Sequence, residues 1–205
     1  MNNHQRFRDF IARLSTLAES AGSNERRMLD EGGRLLAELV SHDNWLPEEF
    51  ACESAQSYRQ YLLYCDARER FSVVSFVWGP GQSTPVHDHT VWGLVGVLRG
   101  AEICGEYAPH EAGKPMRHAG EHRLERGEVD KVSPTIGDIH RVANALPDTP
   151  SVSIHVYGAN IGAVSRHVYD EATGAVTPFV SGYHNSVMPN FWDRSADVRM
   201  SLQTR

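Results

Sequence analysis

From about Ser57 onward the chain is written in short runs rich in β-branched and aromatic residues, at 58–64, 71–78, 91–98, 102–107, 128–132, 151–157 and 163–169. Turn-forming clusters close these runs: GPGQSTP, HEAGKP, SPTIGD and NALPDTP. Many short strands at regular intervals, with no helices between them, predict a mainly β barrel or sandwich rather than a parallel α/β sheet.

Two amphipathic helices are predicted ahead of the strands. Phe7, Phe10, Ile11, Leu14 and Leu17 recur at three-and-four spacing, as do Met28, Leu29, Leu35, Leu36, Leu39 and Val40, interrupted by Gly32 and Gly33. The helical part is expected to end near Asp43, because Leu46 and Pro47 begin a connection that a helix cannot continue through. A chain of 205 residues suits one well-buried core. The expectation is a single domain: a helical segment over 1–45 packed on a barrel over 57–170, then an irregular extension over 171–205. In that extension Phe179, Tyr183, Phe191 and Trp192 are expected on the barrel exterior from Pro178 onward.

The net charge of −6 argues against nucleic acid and anionic membrane as partners, since both select basic surfaces. The opening MNNHQRFRDF is polar, and no stretch approaches the ~20 apolar residues of a membrane span. Three cysteines, Cys52, Cys65 and Cys104, lie far apart with no CxxC pair, which fits reduced thiols in a cytoplasmic protein. No protein partner is implied. Eleven histidines direct attention to imidazole chemistry.

The informative segment is GQSTPVHDHTVWGLVGVLRG, 81–100. Residues i and i+2 of an extended chain share a face, so His87 and His89 can meet one metal ion. Asp88 then points away and is expected to make local loop contacts. His140, in TIGDIHRVAN after a Gly137–Asp138 turn, is the best third ligand. An isolated histidine is more often a plain polar loop residue, and the HxH pair with a third His opening a later strand is what favours metal. Ser153, His155 and Tyr157 alternate along another strand and can face the same interior. A solvent-facing edge strand would produce the same pattern. Trp78 and Trp92 read as core.

Gly81, His87, His89 and Gly100 resemble the first motif of the cupin superfamily. Pro134, Gly137, His140 and Asn144 resemble the second, with one extra residue at two of its spacings. The resemblance implies a cupin (jelly-roll) β-barrel. Most cupins place a Glu ligand where this chain has Gly93, so the implied site is a neutral three-histidine face. That departure is similar to the thiol dioxygenases, cysteine dioxygenase among them. From about Gln60 to Trp192, and most clearly in SVSIHVYGANIGAV at 151–164, the chain resembles the bacterial 3-mercaptopropionate dioxygenase branch.

The resemblance implies one Fe(II) per chain, a small thiol and O₂ as reactants, and a sulfinate product. Ser153, His155 and Tyr157 would form a hydrogen-bonded chain beside the iron. Cysteine dioxygenases carry a cysteine near the position of Gly93 that cross-links to the tyrosine matching Tyr157. With glycine there, and Cys104 on a following strand a poor substitute, Tyr157 is expected unmodified. The arginine that binds the substrate carboxylate in those enzymes matches Gln60 here, with Arg59 on the opposite face. A second arginine, matching Arg166, serves the carboxylate in the 3-mercaptopropionate branch. The resemblance therefore favours 3-mercaptopropionate over cysteine. A non-catalytic metal-binding cupin and a zinc cupin with isomerase or hydrolytic chemistry remain alternatives.

Overall fold

The computed structural model describes residues 3–191 and 200. Two helices come first, α1 (His4–Ala21) and α2 (Glu25–Val40). The strands follow in order as β1 (Arg59–Cys65), β2 (Ser72–Trp78), β3 (Val86–His87), β4 (Gly93–Arg99), β5 (Ala101–Tyr107) and β6 (His118–Glu125). After them come β7 (Val129–Val132), β8 (His140–Asn144), β9 (Ser151–Tyr157), β10 (Arg166–Tyr169) and β11 (Val176–Phe179). They form two antiparallel sheets, one ordered β1-β2-β9-β4-β7 and the other β11-β10-β3-β8-β5-β6. This is a mainly β jelly-roll barrel with an N-terminal helical layer.

The period-2 alternation of β9 explains the layering. Val152, Ile154 and Val156 face the helices, in one apolar cluster with Leu14, Leu36 and Leu94. Ser153, His155 and Tyr157 face the interior, where Val74, Phe76, Trp78 and Val142 form the second cluster with Tyr157. Every residue of β9 is buried, because helices cover one face and the opposite sheet covers the other.

Gly32 and Gly33 do not interrupt α2, which runs unbroken to Val40. They lie where the helix meets the sheet: a Cβ at Gly32 would sit 3.1 Å from Leu94 Cδ1. Gly96 is the reciprocal device, with Leu36 Cγ 2.9 Å from where its Cβ would be. Glycine lowers helix propensity here, and close packing overrides it. Asn24 caps the helix, its side chain accepting from Arg27 N at 3.1 Å.

The segment after residue 171 departs from the expected exterior, irregular extension. Val176–Phe179 forms β11, an edge strand on β10, and Pro178 is tolerated because an edge position needs no ladder N–H on its open side. Phe179 is turned toward the barrel interior. Tyr183 is half-buried against the interior cluster and donates its hydroxyl to Asn160 Oδ1 at 2.6 Å. Phe191 is fully buried in the helical layer, stacked on Phe7 at 4.1 Å between ring centroids. Trp192 lies outside the described residues. The strand predicted at 163–169 begins only at Arg166, because Ile161–Ala163 forms a 3-10 turn in which the Ala163 and Val164 N–H groups donate to the Asn160 and Ile161 carbonyls, at 2.9 and 3.2 Å. Strand β6, HAGEHRLE, escaped sequence reading: it is an exposed edge with Leu124 its only buried residue, so it carries no apolar alternation. No helix among the described residues is long and apolar enough to cross a membrane.

Replacing Gly96 by valine should drive methyl groups into Leu36 and Val40. The expected cost is about 1–3 kcal/mol of stability, read as a lowered denaturant midpoint.

Candidate metal centre

His87 closes β3 and His140 opens β8, and the two stand opposite each other in the antiparallel pairing of these strands. Directly opposed residues project from the same face of a sheet. His89 joins them two residues later. The three ring centroids form a near-equilateral triangle, 4.9 Å for His87–His89, 4.9 Å for His87–His140 and 4.8 Å for His89–His140. One nitrogen from each ring lies within 4.8 Å of the other two. Burial, reinforced by the neighbouring rings, pushes His87 down to about 3 and His140 well below the usual histidine range. Both imidazoles are therefore neutral at physiological pH, the form with a lone pair to donate.

Each Nδ1 already has a partner. His87 Nδ1 is 3.0 Å from the Pro85 carbonyl oxygen, His89 Nδ1 3.0 Å from Asp138 Oδ1, and His140 Nδ1 3.4 Å from Cys104 Sγ. The Nε2 atoms are left for the shared centre, and that of His89 is buried with no hydrogen-bond partner. Converging lone pairs with no donor to receive them are costly in an interior and fit a divalent cation.

Asp138 organises this corner. Its Oδ2 accepts from the backbone N–H groups of His89 and Thr90, at 3.0 and 2.9 Å. These bonds hold Thr90 in a left-handed conformation, φ 59°, which threonine rarely adopts. Burial alone would raise the Asp138 carboxyl, but its bonds to His89 and Thr90 hold it below the usual range. Asp88 does point away from the triangle, though its contacts are not local. Its carboxylate accepts from the His167 backbone at 2.7 Å and from the Tyr169 hydroxyl at 2.8 Å, both on β10. Buried between β3 and β10, this carboxylate is satisfied by the adjacent strand rather than by its own loop.

No carboxylate stands at position 93. Gly93 pairs with Tyr157 across β4 and β9, and a Cβ there would lie 3.0 Å from Tyr157 Cδ1. The Tyr157 ring occupies that space and stacks beside His89, with centroids 5.4 Å apart. Its hydroxyl is 2.7 Å from His155 Nδ1, and His155 Nε2 is 2.8 Å from Ser153 Oγ. Trp78 Nε1 donates to Ser153 Oγ at 3.3 Å, and Phe76 stacks on His155 at 4.1 Å. Burial lowers His155 well below its ordinary value and raises the Tyr157 phenol, so both are neutral.

A cavity of about 170 Å³ adjoins the triangle. His87, His140, His155, Tyr157, Gln60 and Arg166 line it, together with apolar and aromatic side chains. Arg166 is buried, an unusual state for a guanidinium. Nη2 donates to Ser181 Oγ at 2.7 Å, the guanidinium carbon sits 4.6 Å from the Phe179 ring centroid, and Nε has no partner. Gln60 faces inward, with Nε2 donating to the Gly182 carbonyl at 2.7 Å. Its neighbour Arg59 turns the other way, to Ser54 Oγ at 3.0 Å.

Sequence reading passed over two groups that touch the triangle, Asp138 and Cys104, and a buried acid deeper in the barrel, Glu102. Asp138 was legible in principle: two residues before His140, it shares that residue's face of an extended chain. Cys104 carried no such signal. Its contact with His140 arises from the β5–β8 pairing, and burial pushes its thiol up, leaving it uncharged. Glu102 Oε1 accepts from Ser151 Oγ at 3.3 Å, while Oε2 has no partner. Burial raises this carboxyl to about 7.

A jelly-roll barrel of this kind is a cupin, and the three histidines converging in its interior could hold a metal ion. Residues 44–171 match the family model described as cysteine dioxygenase type I, and the chain belongs to that family. The zebrafish (Danio rerio) protein named cysteine dioxygenase type 1 is 26% identical over 91% of this chain and 86% of its own length. The rat (Rattus norvegicus) and human (Homo sapiens) proteins of the same name are each 26% identical, over 68% of this chain and 70% of theirs. The chain is accordingly an oxidoreductase of the thiol dioxygenase kind.

Two outcomes follow from this geometry. Asp138→Ala should weaken metal retention roughly 10–100-fold, measured as metal lost to a competing chelator. Glu102 has a folded-state value of about 7 against an ordinary 4.5. Between those values the unfolded chain has released a proton that the folded chain keeps, so stability falls as pH rises through that window. Glu102→Gln should flatten the slope, worth on the order of 2–4 kcal/mol, in denaturant midpoints compared at pH 4.5 and 7.5.

Proposed function

We infer that the protein is an Fe(II) thiol dioxygenase, one iron per chain, held by His87, His89 and His140. Its proposed reaction converts a small thiol carboxylate and O₂ to a sulfinate, with 3-mercaptopropionate preferred. The observation that carries this reading is the partly unpaired Arg166 guanidinium, buried in the same cavity that His87 and His140 line. A buried cation with an unused donor suits a substrate carboxylate.

Fe(II) bound by three neutral imidazoles would supply open positions for a thiolate and O₂ together, and the electron density that redox-inert zinc lacks. Arg166 binds and orients the carboxylate end, so that the thiol end is directed to the histidine face. Stacking on Phe179 keeps the guanidinium plane in place. Gln60 adds a neutral amide whose position is set by its bond to the Gly182 carbonyl.

The Ser153–His155–Tyr157 chain can run in either of two directions, set by the His155 tautomer. With Ser153 Oγ donating to His155 Nε2, His155 carries its single hydrogen on Nδ1 and donates it to the Tyr157 oxygen, which leaves the phenol O–H to donate into the cavity. With the hydrogen on Nε2, His155 donates to Ser153 Oγ and the phenol O–H turns to His155 Nδ1. In the first direction Tyr157, which stays neutral, positions an oxygen or sulfur acceptor by hydrogen bonding and adds no charge.

The preference for 3-mercaptopropionate rests on what the cavity lacks. No carboxylate is found among the described residues that line it, so the ammonium of cysteine would have no ionic partner. Cysteine itself is the second reading, favoured by the activity named for the zebrafish, rat and human relatives.

Anaerobic loading with Fe(II), followed by O₂ uptake with 3-mercaptopropionate, cysteine and cysteamine, tests both levels. The preferred outcome is highest kcat/KM for 3-mercaptopropionate. Equal efficiency with cysteine would remove the preference, and no uptake with any thiol would overturn the enzyme assignment. Arg166→Met should reduce kcat/KM for 3-mercaptopropionate roughly 10–100-fold, the loss of a charge-assisted pair. Cysteamine, which has no carboxylate, should show no such loss.

A further inference from the structure

On the Nδ1 side of His140 lies a second group of ligating side chains that the dioxygenase reading does not use. Cys104 on β5 and His122 on β6 stand opposite each other in register, and Asp130 reaches them from β7 in the facing sheet. One ligating atom from each lies within 4.8 Å of the other two. His122 Nε2 is 3.1 Å from Asp130 Oδ2, and its Nδ1 is 3.2 Å from Glu106 Oε1.

These two contacts conflict in a neutral ring. A neutral imidazole has one N–H, so it satisfies one carboxylate and presents a lone pair to the other. Either a proton or a metal cation resolves the conflict. The metal solution has a recognisable form: Glu106 accepts Nδ1–H, fixing the tautomer, while Nε2, the Asp130 oxygen and Cys104 Sγ converge on one point. A histidine ligand backed by a carboxylate on its other nitrogen is the usual way such a ligand is oriented.

We propose that Cys104, His122 and Asp130 form a second metal site, distinct from the three-histidine centre, for a borderline-soft divalent cation of the zinc class. The donor chemistry separates the two sites. Three imidazoles make a neutral set, whereas a thiolate, a carboxylate and an imidazole carry two negative charges and match a 2+ ion of softer character. Three protein ligands leave one tetrahedral position, and Cys104, Glu106 and Asp130 all border an open cleft of about 820 Å³ through which that position can be filled. Binding expels the Cys104 thiol proton to solvent, so it strengthens as pH rises. Cys104 Sγ also touches His140 Nδ1, so occupancy here is one side chain away from the first centre.

The test uses the full chain loaded anaerobically with one equivalent of Fe(II), then titrated with Zn(II) by calorimetry and with Co(II) by absorbance. One further equivalent should bind, and cobalt should give a near-ultraviolet thiolate charge-transfer band. Cys104→Ser and Asp130→Asn should abolish the band, and Glu106→Gln should weaken binding roughly 10–100-fold. In His87→Ala the second equivalent and its band should persist, which separates this site from any failure of the first. The absence of a second equivalent would overturn the proposal. So would cobalt bound without a thiolate band, or binding unmoved by Asp130→Asn. The wild-type band decides the matter even where a variant fails to fold.

Discussion

Strand β9 is buried along its whole length on both faces, and that double burial organises the rest of the molecule. It hydrogen-bonds to β2 on one side and β4 on the other. Its outward residues, Val152, Ile154 and Val156, require the helical layer to cover them. Its inward residues, Ser153, His155 and Tyr157, are polar groups that burial would penalise unless each found a partner. They find one another, with Trp78 closing the inner end. The same alternation that seats the helices thus builds an ordered polar column in the barrel interior.

The histidine triangle depends on a different kind of closure. No single strand supplies it: His87 and His140 are brought opposite each other by the β3–β8 pairing, and His89 sits just beyond the end of β3. The Asp138 carboxylate holds that exit, binding the His89 ring and two consecutive backbone N–H groups. Thr90 adopts a strained backbone because these bonds over-determine it. Stored strain of this kind is common where a ligand's orientation matters more than the comfort of the chain.

Charge is arranged with comparable economy. Burial disfavours protonation of His87 and His140, and the cavity beside them holds one cation, Arg166. On the other side of His140 two carboxylates, Asp130 and Glu106, gather with Cys104 and His122. No carboxylate lines the Arg166 cavity among the described residues.

Much of this was legible in the sequence. Short β-rich runs broken by turn residues specify a mainly β fold, because strand alternation and turn chemistry are local. The HxH spacing, a later His opening a strand, and the Ser/His/Tyr alternation placed side chains on shared faces by the same local rule. The strand β6 was invisible, since an exposed edge has no apolar period to read. The fate of the C-terminal segment was also hidden: Phe179 turns inward and Phe191 enters the helical core through contacts with residues far away in the chain. Gly32 and Gly33 read as an interruption of the helical pattern, and only packing of α2 on β4 reveals them, with Gly96 opposite, as points of close approach. The sequence by itself determined which residues share a face. The tertiary structure alone decided which faces meet, because pairings such as His87 with His140 and Cys104 with His122 join positions whose separation along the chain carries no periodic signal.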